Sequence, residues 1–194
     1  MNESCKICSF AKVVNRKNKN LESKADVYSV TKYDGFVRSL DYFKKQVFSR
    51  DLSTYKVVRK GEFAYSTIHI DEGAIAFLDE EEALISPMYT VFKIDESIDP
   101  LYLIQLLTSD VFISKYKVIG QGSLNRRKSV SFSNFGELMI RIPPKKDQQK
   151  IAVILLDIDN FLKKIIKDIE CNQNLRKGLL DNLLNYGISN VDYK

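Results

Sequence analysis

The chain has 194 residues, a formal net charge of +5 and 44% hydrophobic residues, enough for one folded core and an appendage. No run of about 20 apolar residues occurs and the first residues lack a signal-peptide core, so we expect a cytoplasmic protein without a membrane-spanning helix. Three scattered cysteines indicate no disulfide framework. The three cysteines and one histidine do not have the spacing of a four-ligand structural zinc site, so we expect none.

The charges are segregated along the sequence. Residues 1–60 carry 14 Lys or Arg against 6 Asp or Glu, residues 61–110 carry 1 against 11, and residues 111–150 carry 9 against 2. If the two basic segments lie together in space, the protein has one positive face, which favours binding to a phosphate backbone. Each run taken alone is also typical of a solvated surface.

The first 144 residues are predicted as a strand-rich domain. Strand composition and turn signals place strands or strand corners at residues 5–14, 27–31, 43–48, 56–65, 72–77, 83–92 and 138–142. Asp34 and Gly35 predict a tight turn. Apolar residues adopt helical spacing from Pro100 onward, which predicts about one internal helix. The expected fold class is therefore α+β.

A heptad repeat follows Pro143 and Pro144, which end the last strand and suit the start of a helix. A helix of about 40 residues would be roughly 60 Å long, so we expect it to project and to find a partner. The apolar seam that would pair is formed by Ile151, Leu155, Ile158, Leu162, Ile165, Ile169, Leu179 and Leu183.

Polar residues interrupt this seam near its end. Asn172 and Arg176 occupy seam positions, which predicts either a fixed register or a frayed stretch, and Gly178 weakens the same region. Residues 1–144 are thus predicted as the globular domain, residues 145–187 as a long coiled-coil helix for dimerisation and spacing, and residues 188–194 as a tail.

Four sequence blocks resemble those of the specificity subunits of type I DNA restriction-modification systems. The most specific block is residues 140–144 followed by residues 147–152, in which Asp147 replaces the usual Glu. The other three blocks are residues 28–31 with Gly35, residues 51–58 leading into 61–65, and residues 86–92.

The resemblance implies a target recognition domain that binds double-stranded DNA, followed by one conserved-region helix. It also implies separate methyltransferase and restriction subunits as partners, with no catalysis in this chain. Family members usually carry two recognition domains and two antiparallel helices, whereas this sequence has one of each. The resemblance therefore implies a half-size subunit or one half of a longer subunit. We expect a homodimer that forms through antiparallel helices and reads a split palindrome.

Candidate DNA-binding residues fall into three groups. A glycine-rich basic loop allows close backbone approach and offers cations to phosphates or guanines: Gly120, Gln121, Gly122, Ser123, Asn125, Arg126, Arg127 and Lys128. Further candidates around basic turns are Arg16, Lys17, Lys19, Lys32, Tyr33, Arg38, Lys44 and Lys45. Candidate base readers are Tyr65, Ser66 and Thr67.

No catalytic or cofactor motif is present in the sequence. It contains no phosphate-binding Gly-Lys-Ser/Thr loop, no glycine-rich cofactor fingerprint and no methyltransferase tetrad, so we expect no cofactor and no enzyme activity. The consecutive acids at residues 79–82 point in different directions and make a poor metal cage. Two alternatives remain: the specificity subunit of another combined restriction and methylation enzyme, and a coiled-coil adaptor that binds protein rather than DNA.

Overall fold

A computed structural model describes residues 3–120 and 129–187. The chain divides into two compact units, Met1–Ala152 and Val153–Lys194. In these ranges no helix combines the length and apolar character needed to cross a membrane.

The described ranges contain a strand-rich body and a long C-terminal helix, which confirms the predicted α+β class. The strands are β1 (Glu3–Lys6), β2 (Ala11–Val14), β3 (Val27–Thr31), β4 (Gly35–Arg38), β5 (Lys56–Arg59), β6 (Phe63–Ser66), β7 (Ile75–Phe77), β8 (Glu82–Ile85), β9 (Tyr89–Ile94) and β10 (Met139–Ile142). The α-helices are α1 (Ser39–Phe43), α2 (Pro100–Leu107), α3 (Asp110–Ile119), α4 (Phe132–Gly136) and α5 (Lys145–Tyr186).

The strands form two four-stranded sheets and one two-stranded ribbon. Sheet 1 has the order β2-β9-β6-β7 and is antiparallel throughout. Sheet 2 has the order β4-β3-β8-β5, in which β3 and β8 are parallel and the other pairs antiparallel. The ribbon pairs β1 with β10, so the first and last strands of the body lie side by side.

Strand β6 of sheet 1 is buried on both faces. Phe63 and Tyr65 point to a core shared with α2, α3, α4 and β10, while Ala64 between them points to a second core shared with sheet 2. Ala76 opposes Ala64 in the register of β6 and β7. These small side chains let sheet 2 pack closely, and Gly35 Cα lies where an added Cβ would be 3.5 Å from Ala76 Cβ.

Stacked aromatic rings fill the larger core, on the helical side of sheet 1. The Phe63 and Phe92 ring centroids are 5.1 Å apart, as are those of Tyr65 and Phe135. The ring centroids of Phe92 and Phe135 are 5.4 Å apart, and this contact links the two pairs. This cluster fixes α4 against sheet 1 and therefore fixes the chain that follows residues 121–128.

Several sequence-based assignments were wrong in detail. Residues 43–48 form the end of α1 and an irregular segment rather than a strand, and residues 56–65 are no hairpin, because β5 joins sheet 2 and β6 joins sheet 1. The single strand predicted at residues 83–92 is two strands in different sheets. The internal helix is two helices, α2 and α3, and α4 was not predicted.

The predicted long helix is confirmed as a continuous 42-residue helix that passes through Gly178. Its first turns, up to Ala152, belong to the same unit as the sheets. The eight predicted seam residues, of which only Ile151 lies in these turns, are 36–50% exposed.

Gln148 fixes the beginning of α5. Its side chain is 1% exposed and accepts a hydrogen bond from the Asp99 backbone N–H at 2.7 Å. Its amide donates to the carbonyl oxygens of Pro143 at 2.9 Å and Ser97 at 3.4 Å. Asp99 in turn caps α2 by accepting from the backbone N–H groups of residues 101 and 102. One buried amide therefore ties α5 to the start of α2 and the end of β10.

Replacing Gln148 with Leu should destabilise the body by about 1–3 kcal/mol, because the Asp99 N–H and the two carbonyl oxygens lose their buried partner. Gln149→Leu is the matched control, since the Gln149 side chain is exposed. Urea unfolding followed by circular dichroism measures both. Equal unfolding free energies for the two variants would contradict this role for Gln148.

Candidate nucleic-acid interface

The basic loop predicted to bind DNA lies almost wholly outside the described residues, since only Gly120 of its members is described. The residues on either side of this loop are held by hydrogen bonds. The Val130 N–H donates to the carbonyl oxygen of Thr67 at 2.8 Å, and Asn134 Nδ2 donates to the carbonyl oxygen of Ile119 at 3.3 Å. The described chain ends at Gly120 after α3 and resumes at Ser129, beside the end of β6. The members of the loop that lie outside the described residues are Gln121, Gly122, Ser123, Asn125, Arg126, Arg127 and Lys128.

The three predicted base readers have different environments. Tyr65 is fully buried, and its hydroxyl donates to the carbonyl oxygen of Val130 at 3.2 Å. Burial raises the pKa of Tyr65 to about 12, against an opposing hydrogen bond with Thr90. The structure thus differs from the prediction here, because neither Tyr65 nor Ser66, which is 7% exposed, presents its side chain to a base.

Thr67 is the member of this trio that reaches the surface. Its hydroxyl donates to the carbonyl oxygen of Met88 at 3.2 Å, and Met88 is 57% exposed. The Thr67 carbonyl oxygen accepts the hydrogen bond from the Val130 N–H. Thr67 therefore lies at the junction of β6, the connection between β8 and β9, and the chain that leaves the basic loop.

Arg16 does not present a free charge. Its guanidinium forms a two-pronged ion pair with Glu62, in which both N···O distances are 3.1 Å, and it also donates to the carbonyl oxygen of Val57 at 3.2 Å. Glu62 is 7% exposed and further accepts from the Arg59 N–H. This ion pair holds the segment before β3 against β5 and the turn into β6.

Lys17 and Lys19, next to Arg16, are exposed and make no ion pair within the described ranges. Lys17 pairs with Lys56 across an isolated bridge at the edge of sheet 2. Lys56 donates to the carbonyl oxygen of Tyr89 at 2.6 Å, and burial together with the charge of Lys17 lowers the pKa of Lys56. Two lysine side chains at this edge have the charge to attract a phosphate. Lys56 was not among the predicted DNA-binding residues, because its position in a strand gave no sequence signal.

Arg16 and Lys17 should respond to substitution in opposite ways. Arg16→Ala should cost about 1–3 kcal/mol of unfolding free energy, because the buried Glu62 carboxylate loses its partner. Lys17→Ala should leave the unfolding free energy within about 0.5 kcal/mol. Urea titration of both variants tests the difference, and a destabilised Lys17→Ala with an unaffected Arg16→Ala would reverse the assignment.

The remaining predicted cations lie on or after the hairpin of β3 and β4. Lys32 Nζ is 4.8 Å from the centroid of the Tyr33 ring, and Tyr33 is 80% exposed. Arg38 Nε donates to the Tyr28 hydroxyl at 3.0 Å and lies 3.6 Å from Asp26, and the bond to Tyr28 contributes most to a raised pKa of Arg38. The two further exposed cations, directly after α1, are Lys44 and Lys45.

These cations do not form a single patch. Strand β4 and strand β5 are opposite edges of sheet 2, about 14 Å apart at ordinary strand spacing, so the hairpin group and the Lys17 group are separated. Lys115 and Lys117 lie on α3, in the helical layer on the other face of sheet 1. Lys115 and Lys117 are therefore on a different face from the hairpin group and the Lys17 group.

The acidic segment is partly neutralised by neighbouring cations. Glu81 lies 3.2 Å from Lys60, and Glu82 lies 3.8 Å from Arg59. Within residues 3–120 and 129–187, no group of three or more His, Cys, Asp or Glu side chains is placed to hold a metal ion.

The type I restriction modification DNA specificity domain family matches residues 3–171, and the chain belongs to this family. A Haemophilus influenzae protein, the specificity subunit of the type I restriction enzyme HindI, is 28% identical over 125 residues, which cover 63% of this chain and 27% of that protein.

Two further relatives extend the match. A Methanocaldococcus jannaschii protein assigned as the specificity subunit of the type I restriction enzyme MjaX is 27% identical over 151 residues, covering 75% of this chain and 35% of that protein. The crystal structure of the S subunit of a type I restriction-modification system from M. genitalium superposes with a TM-score of 0.57 at 15% identity, covering 95% of this chain and 46% of that one. The chain thus spans about a third of the curated relatives and about half of the solved structure.

Proposed function

We propose that this chain reads one half of a DNA target for a type I restriction-modification complex. The observation that carries the proposal is the family match over residues 3–171. Specificity subunits of these systems are non-catalytic DNA-recognition proteins. Residues 1–144 would read the DNA, and residues 145–187 would dimerise and set the spacing, while residues 188–194 take no part in this scheme.

The DNA-reading surface is proposed around the segment of residues 121–128. Support comes from its three consecutive cations at residues 126–128 and from the half-buried Thr67, which lies beside the point where the described chain resumes. The exposed Lys17 and Lys32 groups on the two edges of sheet 2 would then contact phosphates of the backbone. Methyltransferase and restriction subunits would be recruited to the bound DNA through the helices.

Arg126→Ala and Arg127→Ala should each weaken binding to a selected duplex by about 1–3 kcal/mol if that arginine reads a guanine, with the affinity falling steeply as salt rises. Lys60→Ala is the matched control, because Lys60 is paired with Glu81. Fluorescence anisotropy at several salt concentrations measures all three. Unchanged binding by both arginine variants would place the reading surface elsewhere. Failure of the wild type to retain duplex DNA at low salt would favour the adaptor alternative.

The helix supports a proposed homodimer with antiparallel α5 helices. Its seam residues, together with Ile154, Phe161 and Ile166 beside them, are exposed in the described chain. A continuous row of exposed apolar side chains on a helix is typical of a surface that pairs with another helix. Two identical chains related by a two-fold axis would read identical half-sites.

Leu155→Asp with Leu162→Asp should convert a dimer into a monomer, because each change places a charge in the seam. Asn160→Asp with Asn174→Asp adds the same charge on the opposite side of the helix and should leave the dimer intact. Light scattering gives the mass of each variant, which we expect near twice 22.3 kDa for the wild type. Addition of the cognate methyltransferase subunit should then give a larger defined complex. A monomeric wild type at micromolar concentration would overturn the symmetric assembly.

A further inference from the structure

A compact group of apolar side chains lies exposed in the segment after β4. Leu40, Tyr42, Phe43 and Val47 are 40–51% exposed within eight residues. The rings of Tyr42 and Phe43 meet edge to face, with centroids 5.0 Å apart and planes at 78°. We call Tyr42 and Phe43 the aromatic pair.

These side chains are not needed to cover sheet 2. The residues that follow them supply the cover for sheet 2, since Phe48 and Leu52 pack against the cluster of Val27, Tyr55, Val57 and Leu84. The aromatic pair belongs to none of the buried clusters of the described chain. Its exposed apolar area is therefore available to a partner.

Positive charge surrounds the aromatic pair. Lys44 and Lys45 follow it directly, and the segment from Arg38 to Arg50 carries four cations against the single acid Asp41. Lys44 has φ +53°, a left-handed conformation that ends α1 and that a lysine rarely adopts. Both lysines are exposed and make no ion pair in the described ranges. Lysines are depleted at protein–protein interfaces, so two of them beside the rings favour a polyanion as the partner.

We propose that the aromatic pair inserts between two adjacent base pairs of the DNA half-site, while Lys44 and Lys45 hold the flanking phosphates. This inference rests on the proposed function and adds a specificity device to it. Apolar side chains that enter a base step partly unstack it and bend the duplex. Pyrimidine–purine steps unstack most easily, so the pair would select such a step without hydrogen bonds to its bases.

The test uses the full chain and a duplex recovered with the wild-type protein from a random-sequence pool. 2-Aminopurine replaces successive adenines, and its fluorescence rises where a base loses its stacking neighbour. We expect a several-fold rise at one pyrimidine–purine step with the wild type. Tyr42→Ser with Phe43→Ser should abolish the rise and weaken binding about 5- to 150-fold.

Two control variants isolate the aromatic contribution. Val111→Ser changes another exposed apolar residue, at the start of α3, and should keep both the affinity and the fluorescence rise. Lys44→Gly with Lys45→Ala removes two charges while glycine keeps the left-handed turn, so the salt slope should fall by about two and the rise should persist at saturation.

The proposal is overturned if the serine variant binds the duplex and raises 2-aminopurine fluorescence like the wild type. It is also overturned if that variant keeps its DNA affinity but loses self-association or binding to the methyltransferase subunit, since the aromatic pair would then contact protein. In either case the wild type still binds DNA. A wild type that binds no duplex at low salt refutes the proposed function itself.

Discussion

The burial of strand β6 on both faces of sheet 1 is the constraint on which the body depends. Along β6 the side chains alternate between the aromatic core and the second core, with Phe63 and Tyr65 on one side and Ala64 on the other. A register shift of one residue would place rings where only a methyl group fits. Sheet 2, and with it both edges that carry exposed lysines, is positioned by this alternation.

Gln148 fixes the start of α5 against the body. A buried amide that satisfies one N–H and two carbonyl oxygens leaves little freedom at the beginning of the helix. The bonded groups come from the loop before α2 and from the residue after β10. The first turns of the helix thus belong structurally to the unit that contains the sheets rather than to the second unit.

Long periodic patterns were readable from the sequence, and contacts between distant residues were not. The heptads after Pro144 predicted α5 because the period persists over five repeats. Residues 83–92 are largely apolar, but Ser86-Pro87 within them marks the change of sheet that the prediction of a single strand missed. The sequence predicted Arg16 to be a free cation, because its partner Glu62 is 46 residues away along the chain. Tyr65 and Thr67 share a local pattern, yet only the tertiary fold decides that the first is buried.

The ribbon of β1 and β10 has a consequence for the order of folding. It joins Glu3 to Ile142, so the chain must close a very long loop before this pairing is gained, and parallel pairing of β3 with β8 adds a second non-local contact. Helix α5 needs only hydrogen bonds between residues four apart, which form much faster. During folding, the helical turns that carry the proposed pairing surface are therefore expected to begin forming before the sheets of the body, to which we assign the reading of DNA.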